Sequence, residues 1–189
     1  MNNPLPALSG RLTIDCIDLP GGGVIGMCNC PGRSGADGRG RIWQRDLAED
    51  VASIRAAGFD CVLSLLGDQE LKALGAGSLE ACLSDIGLAW RQFPIADFGT
   101  PDPKARNVWH TMQVEMLARL ATGERILVHC AAGLGRTGTI TAVLLKAAGF
   151  DSVNAVSMVR AARPGTIETA EQLAFVVDFD PGAQDREKA

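Results

Sequence analysis

The chain has 189 residues, 47% of them hydrophobic and 21% charged, enough for one domain with a buried core and too apolar for wholesale disorder. Eighteen Lys and Arg against 22 Asp and Glu leave a net charge of −4, which excludes broad phosphate neutralisation along nucleic acid, so any anion chemistry must come from a local site. The densest apolar run, Ile140 to Ala148, contains Lys146 and is too short to span a membrane, and Met1 to Gly10 lacks the basic-then-apolar order of a secretory signal.

Residues 1–10 read as a loose lead-in, 11–179 as a single domain and 180–189 as a polar tail. Arg11 to Ile17 and Val24 to Met27 flank Pro20-Gly21-Gly22-Gly23 and predict a hairpin. Pro31 to Gly40 is Gly-rich and polar, a surface loop. Leu47, Val51 and Ile54 fall at helical spacing within Trp43 to Ala57, and Gly58 ends the run. Cys61 to Leu66 is continuously apolar, the mark of a buried parallel strand. Ser78 is placed to cap a helix carrying Leu79, Leu83 and Ile86, and Ala89 to Phe93 predicts another strand. After a loop from Pro94 to Pro103, Lys104 to Ala121 predicts an amphipathic helix with Val108, Met112, Met116 and Leu120 on its buried stripe, Trp109 packing beside them and His110 a surface or packing residue. Arg125 to Val128 predicts a strand. Helices follow over Thr137 to Ala148, Ser152 to Ala162 and Glu168 to Val177. Strands alternating with helices mean an α/β domain, a central and mostly parallel sheet flanked by helices.

Six cysteines are too few for a disulfide framework at this length, and without an export signal they read as reduced thiols in the cytoplasm. The single residue between Cys28 and Cys30 is not the usual ligand spacing, and only His110 and His129 are available beside them, so no metal or other cofactor is expected.

The chemistry concentrates in Val128-His129-Cys130-Ala131-Ala132-Gly133-Leu134-Gly135-Arg136-Thr137-Gly138. A buried strand ends at Cys130, and Arg136 opens the next helix. Gly133 and Gly135 between them let the backbone curl, so that successive N–H groups form an anion nest at a positive helix end. Arg136 closes the nest with a planar fork suited to two phosphate oxygens. A cysteine at the base of such a cup is favoured as thiolate and is a nucleophile aimed at phosphorus. Residues 131–136 are thus the candidate phosphate-binding loop. Transfer to sulfur leaves an alkoxide or phenolate that needs a proton, and the 94–103 loop offers Asp97, with Asp102 as its rival. His129 is expected to orient the loop by hydrogen bonding, and Thr137 to donate its hydroxyl to the Cys130 sulfur.

These residues resemble the cysteine-dependent protein phosphatase superfamily, whose signature His-Cys-x5-Arg-Ser/Thr is matched in full by His129, Cys130, Arg136 and Thr137. Pro94-Ile95-Ala96-Asp97, Gly99-Thr100-Pro101-Asp102 and Gly133-Leu134-Gly135-Arg136 look most like the kinase-associated (cyclin-dependent kinase inhibitor 3 type) dual-specificity phosphatases, over about Gly26 to Val177. The resemblance implies a phosphatase domain over 11–179 and a phosphocysteine intermediate on Cys130. It also implies Asp97 as general acid and base, and a monomer acting on a phosphorylated protein or peptide, with no nucleic acid or membrane partner. Ile167-Glu168-Thr169-Ala170-Glu171-Gln172 is similar to the Ile-Gln-Thr-x-x-Gln stretch of tyrosine phosphatases, whose glutamines position the hydrolytic water. Gln172 matches the second glutamine and is a candidate substrate-binding residue; Glu168 replaces the first. Its carboxylate is expected to swing to solvent or cap a helix beginning near Thr166, the other reading being that it orients the water. Three rivals stand beside this function: a phosphoinositide or inositol phosphate phosphatase, disfavoured by the uncharged Ala131, Ala132 and Leu134; a non-catalytic phosphopeptide-binding module; and a rhodanese-like sulfur carrier.

Overall fold

A computed structural model describes residues 9–38 and 40–182; the lead-in over 1–8 and the tail over 183–189 lie outside the described residues. The central sheet has the order β1-β2-β7-β5-β6, with β1 Asp15–Asp18, β2 Val24–Asn29, β5 Cys61–Ser64, β6 Ala89–Gln92 and β7 Arg125–Cys130. The hairpin partner β1 runs antiparallel to β2, and every other pairing is parallel. β2 and β5 are buried at every position, as strands covered on both faces must be. Helix α5 (Gly135–Ala147) packs on β7 and β2 and is boxed by α4 (Arg106–Ala121), α6 (Ser152–Ala162) and α7 (Ala170–Asp178), while α3 (Leu79–Asp85) covers β6 and meets α1 (Leu47–Ala56). The expected class, a mostly parallel sheet flanked by helices, is what forms. No helix among the described residues is long and apolar enough to cross a membrane.

Several local expectations need correction. Pro31 to Gly40 is not simply a surface loop: Pro31, Gly32 and Arg33 are buried, and β3 (Ser34–Ala36) pairs antiparallel with β4 (Ile42–Gln44). Trp43 therefore belongs to a strand. Helix α1 starts later, where the Asp46 side chain accepts from the Glu49 N–H. A short helix, α2 (Asp68–Ala73), was not expected, although Gly67 followed by two early acids is a helix-start pattern. Ser78 makes no capping hydrogen bond, and Ile86 stays exposed beyond the end of α3. On α4 the buried stripe is Trp109, Gln113, Met116 and Leu120, with Val108 59% exposed. A strict four-residue spacing drifts by about 40° per step around a 3.6-residue helix, so the expected stripe could not stay on one face. Helix α5 begins two residues earlier than expected and α7 two residues later.

Candidate active site

β7 is the middle strand of the sheet, and Cys130 is its last residue, so the sulfur sits where the carboxyl ends of parallel strands open a crevice. The chain turns through residues 131–134 and enters α5 at Gly135. Gly133 has φ +72°, and a Cβ there would collide with the Cys28 backbone, so glycine is required twice over. The Gly133 N–H points back at Cys130 Sγ, 3.3 Å away.

Two arginines hold the outside of this loop. Arg33 Nη1 donates to the Ala131 carbonyl at 2.9 Å, and Arg163 donates to the Gly133 carbonyl at 2.7 Å and the Ala132 carbonyl at 3.3 Å. Three successive carbonyls are thereby drawn outward, and planar trans peptides leave their partner N–H groups to face the other way. Arg33 is itself stacked 4.4 Å over the Trp43 ring, and Arg163 is paired with Asp15 at 2.6 Å. The β3–β4 ribbon thus supports the loop from behind. Neither arginine was singled out from the sequence, because nothing local to Arg33 or Arg163 announces a partner about 98 or 30 residues away.

Arg136 is almost fully buried and committed. Its Nη1 donates to Glu70 Oε2 at 2.9 Å and to the Ile95 carbonyl at 3.0 Å, its Nη2 donates to Glu70 Oε1 at 2.7 Å, and Nη2 also lies 3.0 Å from Asp97 Oδ1. Burial pulls the guanidinium pKa down, but the Glu70 bonds and the neighbouring Cys130, Glu70 and Asp97 charges hold it above its ordinary value. The Nε–H makes no hydrogen bond among the described residues. Glu70 comes from α2, the helix missed in the sequence.

Asp97 is exposed, its Oδ1 accepts from the Phe98 N–H at 3.1 Å, and Phe98 has φ 56°. Asp102, the rival acid, is occupied in capping the 3₁₀ turn Pro103–Ala105 through the Lys104 N–H. The 94–103 loop is latched to α7: Gln172 Nε2 donates to the Gly99 carbonyl at 3.2 Å, and the Thr169 hydroxyl to that of Phe98 at 3.5 Å.

Gln172 lies against Gly135 but is not open to a substrate. It is fully buried, its Oε1 accepts from the Glu168 and Thr169 N–H groups, and with Thr169 it forms the capping box of α7. Glu168 is exposed, as one of the expectations had it, and the cap of α7 is Thr169; its Oε2 also accepts from the Gly135 N–H at 2.9 Å, at the start of α5. Thr137 is buried and its hydroxyl bonds neither to the Cys130 sulfur nor to any other described atom.

His129 is completely buried and neither ring nitrogen makes a hydrogen bond of good geometry, so it supports the loop by packing and not as expected. Burial pushes its pKa down to about 4, with the Cys130 backbone opposing and the Arg136 charge reinforcing the shift. The folded ring binds its proton more weakly than the unfolded one, so stability is full above pH 6.5 and falls as pH drops toward 4. Urea unfolding is expected to show a loss of about 2 kcal/mol between pH 7 and pH 5 from this ring. His129→Asn should flatten that pH slope; an unchanged slope would assign it to other groups.

Residues 44–176 match the family described as the Swiss Army Knife protein DSP-PTPase phosphatase domain. The chain belongs to this family. It is a phosphatase domain of the tyrosine and dual-specificity type, as its signature implied. It is 28% identical to cyclin-dependent kinase inhibitor 3 of Rattus norvegicus over 159 residues, 82% of this chain and 71% of that protein. It is 34% identical over 97 residues to a probable protein tyrosine phosphatase type IVA A of Dictyostelium discoideum, 51% of this chain and 57% of that protein. Among solved structures it resembles kinase associated phosphatase carrying serine for its catalytic-site cysteine, with a TM-score of 0.76, 22% identity and coverage of 95% of this chain and 96% of that one. That likeness is one of fold.

Proposed function

We propose that the 11–179 domain hydrolyses phosphotyrosine and phosphoserine or phosphothreonine on proteins through a phosphocysteine intermediate on Cys130. The observation that carries this reading is a sulfur at the strand end, beneath a loop that turns an N–H onto it and ends in the fixed fork of Arg136. In the first step the Cys130 thiolate attacks phosphorus and the bond to the leaving oxygen breaks. Asp97 supplies the proton that oxygen needs. The incoming phosphoryl oxygens take the Arg136 Nε–H and share Nη2, which releases Asp97 toward the leaving group. In the second step Asp97 takes a proton from water as it attacks phosphorus, and the S–P bond breaks to return the thiolate. The loop amides and Arg136 stabilise the charge spread over the equatorial oxygens.

The mouth carries carboxylates, Glu70, Asp97 and Glu168, and the loop positions Ala131, Ala132 and Leu134 are uncharged. Such a rim repels a polyphosphorylated headgroup and accepts a single phosphate on a neutral or basic peptide. Six unpaired thiols support a reducing compartment, the cytoplasm. Initial rates on matched phosphotyrosine and phosphothreonine peptides and a phosphoinositide test the reading. The peptides are expected to be turned over and the lipid headgroup not; the reverse order would replace this substrate class.

The acid is testable separately. Asp97→Asn is expected to slow alkyl or phenyl phosphates by roughly 10²-fold or more and activated aryl phosphates much less, because only the poor leaving group needs the proton. An equal loss on both would give Asp97 a structural role, and Asp102→Asn would then be the variant to measure.

A further inference from the structure

Glu168 is held in place by unusual means. Ile167 before it adopts φ 58°, a left-handed conformation that a β-branched residue avoids unless its surroundings impose it. Those surroundings are visible. Ile167 is buried and its N–H reaches the Leu134 carbonyl at 3.4 Å; Arg160 donates to the Thr166 and Ile167 carbonyls at 3.3 Å; the Glu168 N–H is bound by Gln172. The strained turn delivers the Glu168 carboxylate onto the Gly135 N–H, and a Cβ on Gly135 would come within 2.7 Å of Glu168 Oε2. Gly135 belongs to the loop read above as the phosphate cradle. Its amide and Arg136 Nη2 are both already held by carboxylates, Glu168 and Asp97.

We propose that Glu168 competes with the phosphoryl group for the Gly135 amide, and so sets how loosely the site holds phosphate, substrate and product alike. This rests on the reading of residues 131–136 as the phosphate site. With the loop empty, the carboxylate satisfies an N-terminal amide of α5, where negative charge is favoured. An entering phosphoryl dianion displaces it and meets its charge at short range. Inorganic phosphate, an anion in the same cradle, is disfavoured in the same way, which limits product inhibition. A neutral side chain here would hold phosphate more tightly without changing the bonds made and broken at phosphorus.

Glu168→Gln isolates the charge, because its amide oxygen still accepts the Gly135 N–H. With an aryl phosphate as substrate and inorganic phosphate as competitor, KM and the phosphate inhibition constant are expected to fall together by roughly tenfold, with kcat changed less than about threefold. Glu168→Ala should shift both constants the same way and also lower the melting temperature, and it reads the same effect if the glutamine variant folds poorly. Unchanged or weaker phosphate inhibition in a folded variant would overturn the proposal, since a merely structural Glu168 moves the melting temperature and not the inhibition constant. Phosphate protection of wild-type Cys130 from iodoacetate is the companion measurement. Protection in the wild type with no gain in either variant refutes the competition alone, whereas no protection and no turnover in the wild type refutes the phosphatase reading and this one with it.

Discussion

Cys130→Ser is expected to lose turnover by on the order of 10⁴-fold or more while still binding phosphopeptide. The hydroxyl is a weak nucleophile unless a base activates it, and no base stands ready. His129 is adjacent in sequence, but it is buried, neither ring nitrogen makes a hydrogen bond of good geometry, and burial pushes its pKa down to about 4. Asp97 lies against Arg136, on the side proposed for the leaving group. Binding should survive because the groups proposed to hold phosphate are the loop amides and Arg136, and the loop carbonyls are held by Arg33 and Arg163, not by the sulfur. Two measurements decide it: kcat on an aryl phosphate, and calorimetric titration of the variant with a phosphopeptide. Residual activity of a few per cent would take the sulfur out of the chemistry. Loss of binding together with activity would mean that the loop had collapsed. A chelator is expected to leave the wild type active, and reversible loss on chelation would contradict the metal-free mechanism.

The part of the site that was legible in the sequence is the part that is local. Cys130, the loop glycines and Arg136 lie within seven consecutive residues, and a strand running into a glycine-rich turn and a helix has few ways to fold. Asp97 was legible for a different reason: the proposed chemistry needs an acid on a loop, and few carboxylates precede the strand on a segment of that kind. The residues that hold the loop were not legible. Glu70, Arg33 and Arg163 act across tens of residues, and each sits in a segment whose own pattern does not point to the loop: a short helix, a polar loop and a helix end. Arg33 shows the error most clearly. The Gly-rich composition around it suggests solvent, whereas Pro31 to Arg33 are buried: Gly32 packs against Leu47 and donates to Asp50, and Arg33 reaches the Ala131 carbonyl.

The helices show the same division. The start of α6 was placed well, at Asp151, whose carboxylate caps it through the Asn154 N–H, whereas the starts capped by Asp46 and Thr169 were placed too early and Ser78 caps nothing. The rotation of α4 was not, because its apolar residues are distributed on more than one face and only packing chose Trp109 over Val108. At α7 the motif was recognised but its use was not. Gln172 looked like a water-positioning glutamine, and here its amide closes a capping box and ties the 94–103 loop to the helix. A motif fixes which side chains are near one another; the hydrogen bonds each one makes depend on neighbours such as Glu168 that break the pattern.

Arg136→Lys is expected to lower kcat by on the order of 10²-fold or more, although the charge is kept. The reason lies in how the guanidinium is shared. Both Nη atoms grip the two oxygens of Glu70, Nη1 also holds the Ile95 carbonyl, and Nη2 reaches Asp97, so the plane of the fork is fixed before any substrate arrives. Only a planar group with five donors can meet those partners and still present Nε–H and an Nη2 edge to a transferring phosphoryl group. A lysine ammonium is a point charge with three donors at the end of a flexible stem. In this buried position it would be drawn onto Glu70, leaving the equatorial oxygens without a fork at the moment their charge spreads. Because the arginine side chain is 1% exposed, the substitution also leaves unfilled space, so thermal unfolding must be followed beside the kinetics. A folded Arg136→Lys protein with a large kcat loss and a smaller change in KM supports an interaction made chiefly in the transition state. Near-normal kcat would remove Arg136 from that state, and the bidentate pair with Glu70 would then be a structural tie between α2 and α5.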